Sequence, residues 1–273
     1  MKKFITTIFV LTSFFLLSFI TAQTTAEKKP SPQWWVNSSF ADSVDYFLFH
    51  GEGRYNYTKT TGSVEGEMQS GSVNLVIRKD VFTHHTEYMI DKTNQNFQSL
   101  GMHFATESQA LTDYLDVDIT RLFYAEGGFI WERDNTIYIQ NRFTLYAGLG
   151  LNGMIATQHY LKILFAAGNI NQEYSIPVTY FNVIKGANTA YYIRQQYKYV
   201  INPALSFMEQ AYYLSYFSTS DKYRYGIGAN LLVAVFQPLS LVLGYDYRFD
   251  NQNKLIGVIS ANTTQTIGVQ ISL

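Results

Sequence analysis

The chain has 273 residues, no cysteine and a formal net charge of −1, so disulfides are excluded and nothing in the charge balance marks a nucleic-acid surface. Charged residues make up 15% and aromatics 16%, with 22 Tyr and 20 Phe. That balance, without a long apolar stretch beyond the first residues, suits an outer-membrane barrel, with a secreted soluble β protein as the alternative.

Met1 to Ala22 reads as a secretory signal peptide: Lys2 and Lys3 form a basic start, Phe4 to Ile20 is almost wholly apolar, and Ala22 is the expected cleavage point. An uncleaved membrane anchor is the competing reading. Residues 23–42, with Lys28, Lys29, Pro30 and Pro32, are expected to be a periplasmic linker, leaving 43–273 for the folded domain.

From residue 43 the pattern has a period of two, which sends successive side chains to opposite faces of a sheet. Twelve strand-like segments follow. The first, 44–57, sets Phe47, Phe49, Tyr55 and Tyr57 against His50, Glu52, Arg54 and Asn56. The second runs to about Arg78 and turns at Lys79-Asp80; the third, 81–91, has Phe82, Tyr88 and Ile90 in phase, interrupted by His84 and Thr86. Lys92 to Asn96 reads as a loop, and the fourth segment, 97–118, is the least regular. The fifth, 122–133, sets Phe123, Ala125, Phe129 and Trp131 against Glu126, Gly128 and Glu132. The sixth, 138–152, sets Phe143, Leu145, Leu149 and Leu151 against Arg142, Gly148 and Gly150; the seventh, 159–170, sets Leu161, Ile163 and Phe165 against Lys162. A loop at 171–188 precedes the eighth and ninth segments, 189–201 and 206–218.

The clearest stretch is Tyr223 to Phe249, a hairpin of two unbroken alternations. Tyr225, Ile227, Leu231, Leu241, Leu243, Tyr245 and Tyr247 take one face; Arg224, Gly226, Gly228, Asp246 and Arg248 take the other. After a loop at 250–262, Ile267, Val269, Ile271 and Leu273 close the chain on one face. A transmembrane strand needs roughly 9–11 residues, apolar towards lipid and polar towards the lumen. None of the five prolines falls inside a segment, as an unbroken ladder requires. If the chain starts in the periplasm, the short turns fall at one end and the loops 171–188 and 250–262 at the other, the arrangement of bacterial barrels. The expected fold is an all-β, antiparallel up-and-down transmembrane barrel of about 12 strands, in the outer membrane of a Gram-negative cell.

Phe123-Tyr124-Ala125-Glu126-Gly127-Gly128-Phe129-Ile130-Trp131-Glu132-Arg133-Asp134, then Arg142-Phe143-Thr144-Leu145-Tyr146-Ala147-Gly148-Leu149-Gly150, resembles the central pattern of the DUF481 family. The last third, ending Thr263-Thr264-Gln265-Thr266-Ile267-Gly268-Val269, resembles that family's closing strands. The resemblance covers about residues 43–273 and implies an outer-membrane barrel linked to salt stress, with no catalytic residues to carry over. Such barrels usually end in an aromatic residue read by the assembly machinery; this chain ends in Leu273.

Glu52, Arg54, Glu126, Arg142, Lys162, Arg224, Asp246 and Arg248 are the candidate lumen charges. Because an isolated buried charge is costly, they are expected as pairs rather than as a ring of one sign, and Arg248→Ala is expected to weaken the barrel if a neighbouring carboxylate is its partner. Gly148, Gly150, Gly226 and Gly228 are expected to leave room for bulkier neighbours in the lumen. His84 and His85 point to opposite faces and so do not share a metal; His50 with Glu52 and Arg54 reads as lumen packing or a polar relay. A lipid hydrolase would need a serine such as Ser72, Ser215 or Ser218 beside His84, and no spacing singles one out. Tyr191, Tyr192, Tyr197, Tyr199, Tyr212, Tyr213, Tyr216, Tyr223 and Tyr225 are expected near the outer strand ends, as an interface girdle or a ligand-stacking surface. The expected role is structural or small-solute permeation, non-enzymatic and without catalytic residues, metal or cofactor. A lipid-active hydrolase and a surface binding module acting through the outer loops are the alternatives. Expected partners are outer-membrane lipid and the assembly machinery, not nucleic acid, with the chain as a monomer.

Overall fold

The computed structural model describes residues 47–60, 64–97, 102–156, 158–177, 183–219, 221–236, 238–257 and 260–272. The expected signal peptide, the linker and Leu273 lie outside these residues. Twelve strands are present: β1 (Leu48–Thr60), β2 (Val64–Lys79), β3 (Phe82–Phe97), β4 (Met102–Asp118), β5 (Phe123–Asp134), β6 (Ile139–Ala156), β7 (His159–Tyr174), β8 (Gly186–Asn202), β9 (Leu205–Tyr216), β10 (Tyr223–Phe236), β11 (Leu239–Asp250) and β12 (Ala261–Ser272). Each is antiparallel to the one before it, and β12 pairs with β1 to close the ring. Closure leaves no strand edge, so backbone amides in the wall bond to their neighbours, as a structure in lipid must.

The period-two pattern decides which way each strand faces. Arg224, Gly226 and Gly228 alternate as buried positions on β10, while Leu231, Leu243 and Ile267 line up across β10, β11 and β12 on the outside. Leu243 is 46% exposed, Leu149 63% and Ile267 69%. A contiguous band of this kind is the surface expected against acyl chains. At its extracellular margin the rings of Tyr213, Tyr223, Tyr225, Tyr247 and Phe249 pack with centroids 5.2 to 6.0 Å apart along β9 to β11.

Pro177, Pro203 and Pro238 lie outside the strands. The connections 80–81, 119–122, 203–204 and 237–238 are short and share one end, the periplasmic one; 175–185 and 251–260 share the other. In the β2–β3 turn Asp80 takes a left-handed φ of 53°, which aspartate tolerates better than most residues.

The ladder runs further than the side-chain pattern indicates. Lys92–Asn96 is not a loop: β3 continues to Phe97, with Asn96 opposite His103 on β4. The loop expected at 171–188 shrinks because β7 reaches Tyr174 and β8 begins at Gly186. Above the bilayer both faces of a strand meet water, so alternation fades while backbone pairing still satisfies the amides.

Candidate functional site

The lumen is filled on one side and open on the other. On β4 to β8, Tyr114, Tyr124, Tyr146, Leu164 and Ala166 form a buried cluster, with Ile130 and Tyr192 packed against it. Glycines make room for the rings. A Cβ on Gly150 would lie 2.1 Å from the Tyr124 ring, and one on Gly226 2.5 Å from that of Tyr212.

Charges enter this apolar side only as matched pairs. Arg194 Nη2 donates to Glu126 Oε2 at 2.6 Å, and the Tyr146 hydroxyl donates to the other carboxylate oxygen at 2.8 Å. The Arg194 guanidinium lies over the Tyr114 ring at 4.8 Å. Lys162 bonds Asp116 and sits 4.4 Å above the Tyr124 ring. His85 stacks on Tyr114 with a centroid distance of 4.4 Å and brings Nε2 to 3.3 Å from Asp116. In a low-dielectric interior a buried charge is tolerated only beside a partner of opposite sign.

Closer to the extracellular mouth a second network crosses the lumen. Arg224 Nη1 donates to Glu132 at 3.0 Å, although β10 and β5 stand five places apart in the ring. Arg142 lies 3.7 Å from the same carboxylate and 3.6 Å from Asp250. Arg142 also donates to Gln172, whose amide donates to the Ile184 carbonyl at 3.1 Å; the Ile184 N–H donates to Gln252 at 2.6 Å. Through this chain the 183–185 and 251–257 segments dock over Ile170, Ala190, Leu214 and Tyr216. Val183 and Ile256 are buried against each other. The two outer connections therefore cover part of the mouth. At the periplasmic end His50, Glu52 and Arg54 form a row with contacts of 3.0 and 3.6 Å, Arg54 donates to Gln270 at 2.6 Å, and Arg78 pairs with Asp118 at 2.9 Å.

A cavity of 1060 Å³ takes up the rest of the lumen; every strand reaches its wall, and β9 to β12 with β1 to β3 supply most of it. Amides and hydroxyls predominate on its wall, among them Ser72, Asn74, Gln196, Gln210, Asn230 and Thr264. Arg248 and Asp246 bond at 2.7 Å on that wall but remain 51% and 38% exposed to the lumen.

All eight sequence-derived charges lie on the lumen face. The structure brings together Glu52 with Arg54 and Asp246 with Arg248, and joins Arg142 and Arg224 through Glu132. Glu126 and Lys162 instead find partners absent from that set, Arg194 and Asp116. Arg194 is in phase with Tyr192 and Lys198, so strand parity alone would have found it. Asp116 sits on β4, whose irregular alternation hides its direction.

His84 and His85 do face opposite ways. His84 is outside, with Nε2 3.0 Å from Asp113, which also accepts from the Thr86 hydroxyl at 2.7 Å. Ser72 faces the lumen, Ser215 donates to the Lys222 carbonyl at 3.3 Å, and Ser218 is exposed beyond β9. The tyrosines divide differently from the expectation of one outer cluster. Tyr192 and Tyr212 point into the lumen beside their in-phase neighbours Arg194 and Gln210, and Tyr216 is buried under the docked segments. Tyr197 and Tyr199 belong to the periplasmic end, where His159 stacks on Tyr199 at 4.2 Å and bonds the Tyr197 hydroxyl at 2.7 Å. The cause is the length of β8, which carries them from the rim to the opposite interface. Among the described residues no three of His, Cys, Asp or Glu converge as a metal site would require.

No curated protein matches the chain. Among solved structures, the NanC porin aligns at 12% identity and a TM-score of 0.50, covering 83% of this chain and 100% of that one. The translocator domain of the autotransporter NalP from Neisseria meningitidis aligns at 12% identity and 0.45, covering 87% and 92%. The COG4313 outer-membrane channel from Pseudomonas putida F1 aligns at 11% and 0.44, covering 85% and 98%. The chain is an outer-membrane β-barrel with a porin-like fold. The model of a family described as proteins of unknown function, DUF481, matches residues 53–272, and the chain belongs to that family.

Proposed function

We propose that this barrel is a narrow passive pore for small hydrophilic solutes, not an enzyme. The observation that carries the reading is the 1060 Å³ cavity walled by amides, hydroxyls and paired charges. Twelve strands lie between the side-chain-filled barrels of about 8 and the open channels of about 16, and a half-filled lumen fits that middle size. The hydrolase alternative draws no support from the serines named for it, since Ser72 faces the lumen while His84 faces outward and Ser215 is bonded to the Lys222 carbonyl. A binding role for the outer connections is disfavoured by their docking through Gln252 onto the barrel. A link to salt stress rests on family resemblance alone. Lipid contacts would fall on the apolar band, and the assembly machinery would act during insertion.

Single-channel recording of the refolded protein in a planar bilayer tests the reading. Discrete steps that scale with salt concentration are the expected result. Silence from protein shown to be folded by its heat-modifiable gel mobility would refute it.

A further inference from the structure

The cavity wall is not electrically even. Arg54 lies 3.6 Å from Glu52, Arg248 2.7 Å from Asp246, and Arg224 and Arg142 share Glu132, with Asp250 also on Arg142. Lys162 is held by Asp116 and Arg194 by Glu126, while Lys198 lies within electrostatic reach of Glu52. Each of these cations thus has a carboxylate within reach, Arg54 and Lys198 sharing Glu52. The reverse does not hold. Glu87 and Asp91, in phase on β3 and both on the cavity wall, have no ion pair among the described residues. Asp91 accepts only a weak bond from Ser108, at 3.4 Å. Directly across β4 from Asp91, beyond Ser108, stands Asp134 at the mouth, its side chain bonded only to the Thr136 N–H. Across the cavity the wall is largely neutral, with Gln196, Gln210, Asn230 and Thr264.

From this imbalance we infer that the pore prefers cations, and that Glu87 and Asp91 set the preference. The inference rests on the pore reading. A solute descending from the mouth passes Asp134 and Asp91, which share a ladder row, then Glu87, and each cation near them already has a carboxylate within reach. A cleft lined by one sign and walled by low-dielectric protein concentrates counter-ions. The guanidinium groups of Arg54, beside Glu87, and of Arg248, beside Asp91, moderate the field without cancelling it, because each already has a carboxylate partner, Glu52 and Asp246. The class of solute favoured is therefore small, hydrated and positively charged: alkali cations and protonated amines before anions.

The experiment is the reversal potential of the refolded full chain in a planar bilayer under a potassium chloride gradient, for the wild type and for Glu87→Gln with Asp91→Asn. We expect the wild type to favour potassium over chloride on the order of tenfold, and the double variant to fall to about parity. Neither side chain bears a structural ion pair, so the variant is expected to fold. Should it not, Glu87→Gln and Asp91→Asn are recorded singly, each expected to lose part of the preference. A conducting wild type that is unselective or favours chloride overturns this inference and leaves the pore reading standing. Selectivity that survives in the variants overturns the assignment to Glu87 and Asp91. A folded but silent barrel overturns the pore reading and this inference with it.

Discussion

Replacing Arg194 by Ala strands the Glu126 carboxylate in the filled half of the lumen. Glu126 is fully buried and Arg194 is 9% exposed. Of the two carboxylate oxygens, one would keep the Tyr146 hydroxyl at 2.8 Å and the other would lose its 2.6 Å guanidinium partner. The nearby Lys162 is already committed to Asp116, so no spare cation replaces it. Breaking a buried pair from one side costs about 3–5 kcal/mol, and losing the guanidinium from the face of Tyr114 adds up to roughly 1 kcal/mol. A loss of about 3 kcal/mol is a shift of roughly two orders of magnitude in the folding equilibrium. Arg248→Ala is the internal control. Its bond to Asp246 is just as short at 2.7 Å, but both groups are open to lumen water, and an exposed pair contributes below about 1 kcal/mol. The barrel weakening expected for Arg248 from sequence is thus small, and the large effect belongs to Arg194. The assay is equilibrium unfolding in urea with the barrel in lipid vesicles, read by tryptophan fluorescence and by gel mobility of unheated samples. If the two variants lose stability equally, or if Arg194→Ala stays within about 1 kcal/mol of wild type, the argument that burial sets the cost of a broken pair fails here.

Gly150→Ala should lower stability by about 1–3 kcal/mol, because the new methyl group meets the buried Tyr124 ring. Gly53→Ala, where nothing lies within 4 Å, should unfold at the wild-type urea concentration in the same assay. Leu243→Arg places a charge in the outward apolar band and should cost about 2–4 kcal/mol. A vesicle-insertion yield equal to that of wild type would contradict the lipid-facing assignment of that strand face.

What the sequence determined by itself was the direction of side chains. Ile227, Leu231, Leu241 and Leu243 alternate with Gly226, Asn230, Val242 and Gly244 so regularly that lumen and lipid faces follow from the period of two, and the number of strands and the short-turn end follow with them. Family membership was legible for the same reason, since the marks that carry the resemblance are strand patterning, the Glu132-Arg133-Asp134 run and the alternating Gly148-Leu149-Gly150. Alternation falls silent where both faces are wet, so the side-chain pattern ends near Asp91 although β3 runs on to Phe97, and it stops short of the outer ends of β7 and β8. Which charges meet depends instead on the closed barrel. The bond from Glu126 on β5 to Arg194 on β8, and that from Glu132 to Arg224 on β10, span the lumen between strands that share no hydrogen bonds. Parity places a side chain inside; the curvature of the closed wall and the side-chain lengths choose its partner, and neither is written in any one strand. The same closure left the lumen filled beside Tyr114, Tyr124 and Tyr146 and open beside Glu87 and Asp91. Large rings occupy one arc of the wall and small polar groups the other, and that contrast acts only once the strands face each other across the lumen.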